Sequence, residues 1–187
     1  YANLDGWKPS DEPFNTENLA LIDRWALARL NALVRDVTAN FEAYDVTSAG
    51  RDIEAFVDEL SNWYVRRNRR RFWKADSDTD KQAAYYTLYT CLLTVSKLAA
   101  PFIPFVSEAL YRNLTGLANN SANSNVAESV HLAAWPVCQE EHLNQQLVDD
   151  TQVLLTAVSL GRSARKAAGV KIRQPLQALL VRAPSPA

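Results

Sequence analysis

Arg66, Arg67, Arg69, Arg70, Arg71 and Lys74 place six cations within nine residues, with no acid among them. They belong to the stretch Leu60-Ser-Asn-Trp-Tyr-Val-Arg-Arg-Asn-Arg-Arg-Arg-Phe-Trp-Lys74, where aromatic rings stand on both sides of the charge. Guanidinium groups pair with phosphate oxygens, and aromatic faces stack on unstacked bases, so this mixture suits a nucleic acid. The plain alternative is an Arg-rich helix end that aids solubility or pairs with acids inside the fold. The formal net charge is −1, so any such surface is a local patch. A second basic cluster runs from Gly161 to Arg173, in which Arg162, Arg165 and Lys166 are three and four residues apart, hence on one helix face.

Constellations for bond-making chemistry do not show. There is no Ser-His-Asp arrangement, no glycine-rich phosphate loop among only five glycines, and no metal-ligand spacing around Cys91, Cys138, His131 and His142. Cys91 falls inside an apolar helical pattern and reads as a buried thiol, consistent with a reducing, cytoplasmic setting. The segment is expected to catalyse nothing by itself.

The 187 residues, 48% hydrophobic and 22% charged, suffice for one substantial globular domain. No apolar run is long enough to span a membrane, and the N-terminus lacks a signal-peptide pattern. The absence of methionine suggests a piece of something longer.

These candidate residues need helices to position them. Residues 1–15 are Gly- and Pro-punctuated and read as an extended lead-in. Leu19, Ile22, Ala26, Leu30, Leu33, Val37, Phe41 and Tyr44 form a helical stripe, with Thr16 a weak start signal and Asp45 to Thr47 a break. A second stripe, Ile53, Phe56, Val57, Leu60 and Tyr64, carries the basic segment at its end, where cations also suit the helix dipole. The polar run Ala75 to Asp80 separates it from a third stripe, Tyr85, Leu88, Leu92, Val95 and Leu98. Pro101 and Pro104 open a shorter helix that ends at Gly116. Asn119 to Asn125 reads as a solvated, mobile loop, and Val130 to Pro136 as an irregular docking segment. Leu143, Leu147, Leu154 and Val158 mark a fifth helix, and Leu176 to Arg182 reads as a lone strand. The expectation is an all-α antiparallel helix bundle over 16–160, with a basic junction and short extended C-terminal tail over 161–187.

At about 100° per residue from Ile53, Arg67 and Arg71 return to the inward stripe, while Arg66, Arg69 and Trp73 point away and Arg70 flanks them. Arg67 and Arg71, with Trp63, are therefore expected to be structural, the two arginines pairing with acids such as Asp23 or Glu42. Arg66, Arg69, Arg70, Trp73 and Lys74 are the expected nucleic-acid contacts, joined by Arg162, Arg165 and Lys166.

Five ordered segments carry a family resemblance over nearly the whole chain. Asp23-Arg-Trp-Ala-Leu-Ala-Arg-Leu-Asn31 resembles the opening helix of the anticodon-binding domain of class I aminoacyl-tRNA synthetases for aliphatic amino acids. The basic segment from Leu60 to Trp73 narrows the resemblance to the isoleucyl enzymes. Tyr1-Ala-Asn-Leu-Asp-Gly-Trp7 is similar to their lead-in from the catalytic domain, Ala100-Pro-Phe-Ile-Pro-Phe-Val-Ser-Glu108 to a shared helix-breaking motif, and Ala164-Arg-Lys-Ala-Ala-Gly-Val-Lys-Ile-Arg-Gln-Pro-Leu176 to the junction into the C-terminal region. Ala168 departs from the acid that many relatives carry there. The resemblance implies a non-catalytic helical module that grips the anticodon stem-loop of isoleucine tRNA. In the parent, a monomeric cytoplasmic ligase, separate catalytic and editing domains would use ATP and Mg. The two ATP-binding signatures and a C-terminal zinc cluster are absent from this chain. Alternatives are the valyl or leucyl counterpart, against which the residues around Trp63 argue, and a helical protein–protein adaptor with a basic patch.

Overall fold

The first helix, α1 (Leu21–Glu42), carries apolar side chains around most of its circumference, as a helix packed on several sides must. Trp25, Leu27, Leu30, Leu33, Val34 and Val37 are all buried, and small alanines at 26, 28 and 32 let neighbours approach closely. The computed structural model describes residues 2, 4–9, 19–74, 78–119 and 126–181. Thr16, residues 75–77 of the polar run, residues 120–125 of the Asn/Ser-rich loop and Arg182 lie outside them. The chain divides into two compact units, Tyr1–Asn144 and Gln145–Ala187.

In the first unit α1 packs against α2 (Val46–Glu59) and α4 (Asp78–Ala99), and α5 (Pro104–Thr115) packs on α4. Among the described residues every regular element is helical, which makes the fold the all-α bundle read from the sequence. The short α1–α2 connection makes those helices antiparallel. Asp45 caps α2 by accepting from the Ser48 N–H at 3.0 Å and its hydroxyl at 2.6 Å. Pro104 opens α5, and Gly116 closes it at φ 80°. Glu108 then accepts from the Val130 N–H at 2.8 Å and the Ser129 hydroxyl at 2.9 Å, fixing a 3-10 turn at Val130–Leu132. Beyond it, the irregular segment crosses α1: the Trp135 indole donates to Thr38 at 2.9 Å, and the Gln139 N–H to buried Asn31 at 2.7 Å.

Tyr44, two residues past the end of α1, adopts φ 58°. The Tyr44 and Asp45 N–H groups bond the Phe41 and Asn40 carbonyls at 3.0 and 2.8 Å, a closure that glycine usually serves. The left-handed backbone costs an L-residue about 1–2 kcal/mol, and a ring 91% exposed recovers little of it. Tyr44→Gly is expected to raise stability by about 0.5–1 kcal/mol, the strain removed less the larger unfolded-state entropy of glycine. A urea midpoint that rises with an unchanged m value checks this; a lower midpoint would show that the ring stabilises the fold.

The helix that begins at Val46 continues to Trp73, but not as a uniform α-helix. Leu60–Val65 forms a π-helical turn, after which α3 (Arg66–Trp73) resumes. Phe56, Leu60, Tyr64, Asn68 and Phe72 are buried at unbroken four-residue intervals. In a plain α-helix each such step drifts about 40°, so four steps would carry the stripe about 160° round and out of the core. The one extra residue of a π turn takes back about 100° and keeps Asn68 and Phe72 inward. That rotation corrects the sequence expectation for Arg67, which it turns away from the bundle and leaves exposed.

In the second unit α6 (Gln145–Ala167) runs without a break through Arg162, and none of its residues is buried among the described residues. Gly169 at φ 66° reverses the chain, with the Val170 N–H on the Arg165 carbonyl at 2.9 Å. Residues 176–181 form no strand, contrary to the sequence expectation. A lone strand has no ladder partner; instead Leu179 lies back beside Gly161.

Candidate nucleic-acid interface

Contacts to α4, itself braced by the lead-in, hold α3 by its inner face. Phe72 stacks on Tyr85 of α4 with centroids 5.8 Å apart, and the Tyr85 hydroxyl donates to Asp5 of the lead-in at 2.6 Å while lying 3.1 Å from the Phe72 carbonyl. Lys81 forms an ion pair with the same Asp5, and Trp7 packs edge-on against Tyr89. The lead-in is thereby docked on α4 beside the end of the basic helix.

Arg71 provides the strongest anchor. Its guanidinium grips Asp23 of α1 through both Nη atoms at 2.8 Å each. It also meets Asp80 of α4 through Nε at 2.9 Å and Nη2 at 2.7 Å, and Nη1 donates to Asn68 at 3.1 Å. Asp23 is 0% exposed and additionally accepts from the Tyr64 hydroxyl at 2.6 Å. Burial works against the Arg71 charge, but the bonds to Asp23 and Asp80 outweigh it and raise its pKa. Burial first, then the Asp23 charge, pushes the Tyr64 phenol well up, so Tyr64 remains a donor. The pairing of Arg71 with Asp23 is the one anticipated from the sequence.

With Arg71 occupied, the other cations of α3 face solvent. Arg66, Arg67, Arg69, Arg70 and Lys74 are exposed, and Trp73 is 70% exposed at the helix end. The Lys74 N–H closes on the Arg70 carbonyl at 2.6 Å, so Lys74 extends directly from the last turn. Arg67 lies over the half-buried Trp63 ring, its guanidinium carbon 4.7 Å from the centroid. The expected outward placement of Arg66, Arg69, Arg70 and Trp73 is what the structure has; the inward placement of Arg67 is not. Sequence reasoning also passed over Asn68, Phe72 and Tyr85 as the supports of this helix, although the unbroken four-residue spacing from Phe56 to Phe72 was a readable signal of the extra turn.

On α6, Arg162 and Lys166 are exposed one turn apart. Arg165 is engaged locally through Nη1, which meets the carbonyls of Gln174 at 2.7 Å, Lys171 at 3.0 Å and Ile172 at 3.4 Å and ties down the reversed chain. Among the described residues no group of three His, Cys, Asp or Glu side chains is placed to hold a metal ion. Cys91 is buried, and burial raises its thiol pKa; Cys138 is half-buried and also shifted up by burial. No described helix is long and apolar enough to cross a membrane.

Known proteins share this arrangement of sequence. Residues 23–180 match the family described as the anticodon-binding domain of tRNA ligase. An isoleucine–tRNA ligase of Dehalococcoides mccartyi (strain CBDB1) is 50% identical over 187 residues, which is 100% of this chain and 18% of that protein. The isoleucine–tRNA ligase of Deinococcus radiodurans is 49% identical over 186 residues, 100% of this chain and 16% of its own length. That of Thermus thermophilus is 46% identical over 187 residues, 99% of this chain and 17% of its own length. The chain thus spans about a sixth of the relatives it matches. A helical bundle that commits one arginine of α3 to its core and turns the other arginines of that helix outward, matched over most of its length, belongs to the anticodon-binding domain family of tRNA ligases.

Proposed function

We propose that this chain is the anticodon-binding portion of an isoleucine–tRNA ligase, a larger cytoplasmic, monomeric enzyme that joins isoleucine to its tRNA with ATP and Mg. On this reading the bundle holds the anticodon stem-loop, while the catalytic and editing domains of the same parent supply the chemistry. The carrying observation is α3, along which Arg66, Arg69, Arg70 and Trp73, with Lys74 just after, are exposed on a helix locked by Arg71.

Arg66, Arg69, Arg70 and Lys74 act as phosphate contacts that fix position, and Trp73 stacks on an unpaired base. Arg162 and Lys166 supply further cations from α6. Arg165 shapes the reversed segment that follows through Nη1 and adds its charge to the same helix end.

In the full-length ligase, Arg69→Ala is expected to weaken binding of isoleucine tRNA and to lower the salt dependence of that affinity by about 0.7–0.9 in log–log slope for one lost phosphate. Filter binding across a potassium chloride series measures it. Unchanged slopes for Arg66→Ala, Arg69→Ala and Arg70→Ala alike would assign the patch another purpose.

A further inference from the structure

Three arginines of the first unit are packed on aromatic rings or buried acids, and they are not equivalent. Arg29 lies 5.9 Å from the Phe56 centroid, but its charge is spent on Glu59 at 2.9 Å. Arg71 is spent on Asp23 and Asp80. Arg67 rests 4.7 Å from the Trp63 centroid and is exposed, beside Arg66 and Arg70 on the outer side of α3. The π turn produces this arrangement: Trp63 lies within it, Arg67 one turn later, and the added residue rotates the pair out of the bundle.

We propose that Trp63 and Arg67 form a stacking platform for one unpaired nucleobase of a single-stranded RNA loop. This rests on the reading of the chain as an RNA-binding domain and adds a site to it. A guanidinium held over an indole has the ring on one side, and because Arg67 is exposed the side away from the ring is open for a base to stack on as it would on an aromatic ring. The ring beneath restricts the guanidinium before RNA arrives, so less side-chain freedom is lost on binding. The N–H edge of Arg67 remains directed to a neighbouring phosphate. Arg67 is thus a positioning contact for a base, whereas Arg66 and Arg70 beside it serve as charges.

The test uses the full-length ligase with two RNA probes: an anticodon stem-loop with its unpaired loop, and a fully paired duplex of the same stem. Arg67→Lys keeps the charge and loses the planar face. It is expected to weaken binding of the stem-loop by about 5- to 150-fold, the worth of one stacked base, with the salt slope retained and duplex binding unchanged. Arg67→Ala loses the same factor and lowers the slope as well. Thermal midpoints should stay at the parental value for both, because Arg67 is exposed. Trp63→Leu, which removes the ring under the guanidinium, should reproduce the Arg67→Lys loss. Parental affinity in Arg67→Lys with loss only in Arg67→Ala would reduce Arg67 to a point charge and overturn the platform. Equal losses on stem-loop, duplex and polyglutamate would do the same, pointing to a general anion surface. If Arg69→Ala weakens tRNA binding while no Arg67 variant does, the platform fails and the RNA-binding reading stands. If no basic variant weakens it, both fail.

Discussion

Arg71→Ala is expected to destabilise the bundle by about 3–5 kcal/mol, the cost of leaving a buried carboxylate without its counter-charge. Asp23 has no access to water and would keep only the Tyr64 hydroxyl, while Asp80 would lose both of its bonds to the guanidinium. Arg71→Lys should recover only part of this, because an ammonium has three donors on one point and cannot satisfy two carboxylates and Asn68 in one plane. Urea unfolding followed by circular dichroism measures the loss in the first unit. A change below about 1 kcal/mol, the range of a surface ion pair, would show that water reaches Asp23 and that the network is not closed.

Inserting one alanine after Asn62 is expected to cost more still. The π turn already absorbs one extra residue, so a second one, carried as α-helix, rotates everything from Arg66 onward by about 100°. Phe72 and Asn68 would leave the core and Arg71 would turn from its aspartates. Loss of a buried phenylalanine alone is worth about 3–5 kcal/mol, and the broken ion cluster a similar amount. Deleting Asn62 is the matching control: it turns the π turn into α-helix, gives the stripe ordinary α-helical spacing and keeps the same faces inward, so it should cost far less. Asn62 is exposed, so its own side chain contributes little. The insertion should abolish cooperative unfolding of α3, read as loss of amide protection over residues 66–73. Near-parental stability in the insertion variant would mean that the helix absorbs the residue elsewhere.

Much of this architecture was legible because local chemistry and global packing agree. Pro104 and Gly116 bound α5 as their backbone preferences require, and Asp45 caps α2 where the apolar stripe breaks. Arg71 and Asp23 could be paired in advance because a long cationic side chain near the inward stripe needs an acid and α1 offers one. Arg67 failed by the same wheel. Constant 100° counting assumes one helix type, and the six residues of the π turn violate that assumption. The four-residue spacing of Phe56, Leu60, Tyr64, Asn68 and Phe72 carried the correction, but Asn68 is polar and hid the pattern. Arg165 was hidden for a different reason: its carbonyl partners follow a reversal at Gly169 that no periodicity reveals.

The ion cluster has a kinetic meaning as well. Asp23, Arg71 and Asp80 come from α1, α3 and α4, with 48 residues separating the first two. α1 and α2 can pair through a short connection, but the cluster closes only when a third and fourth helix have expelled water from around it. Interactions that form after the rate-limiting step leave the folding rate alone and slow unfolding. The cluster is therefore expected to act as a late latch: Arg71→Ala should speed unfolding and leave the refolding rate near parental in stopped-flow urea experiments, and an equally slowed refolding would place the cluster in the folding nucleus.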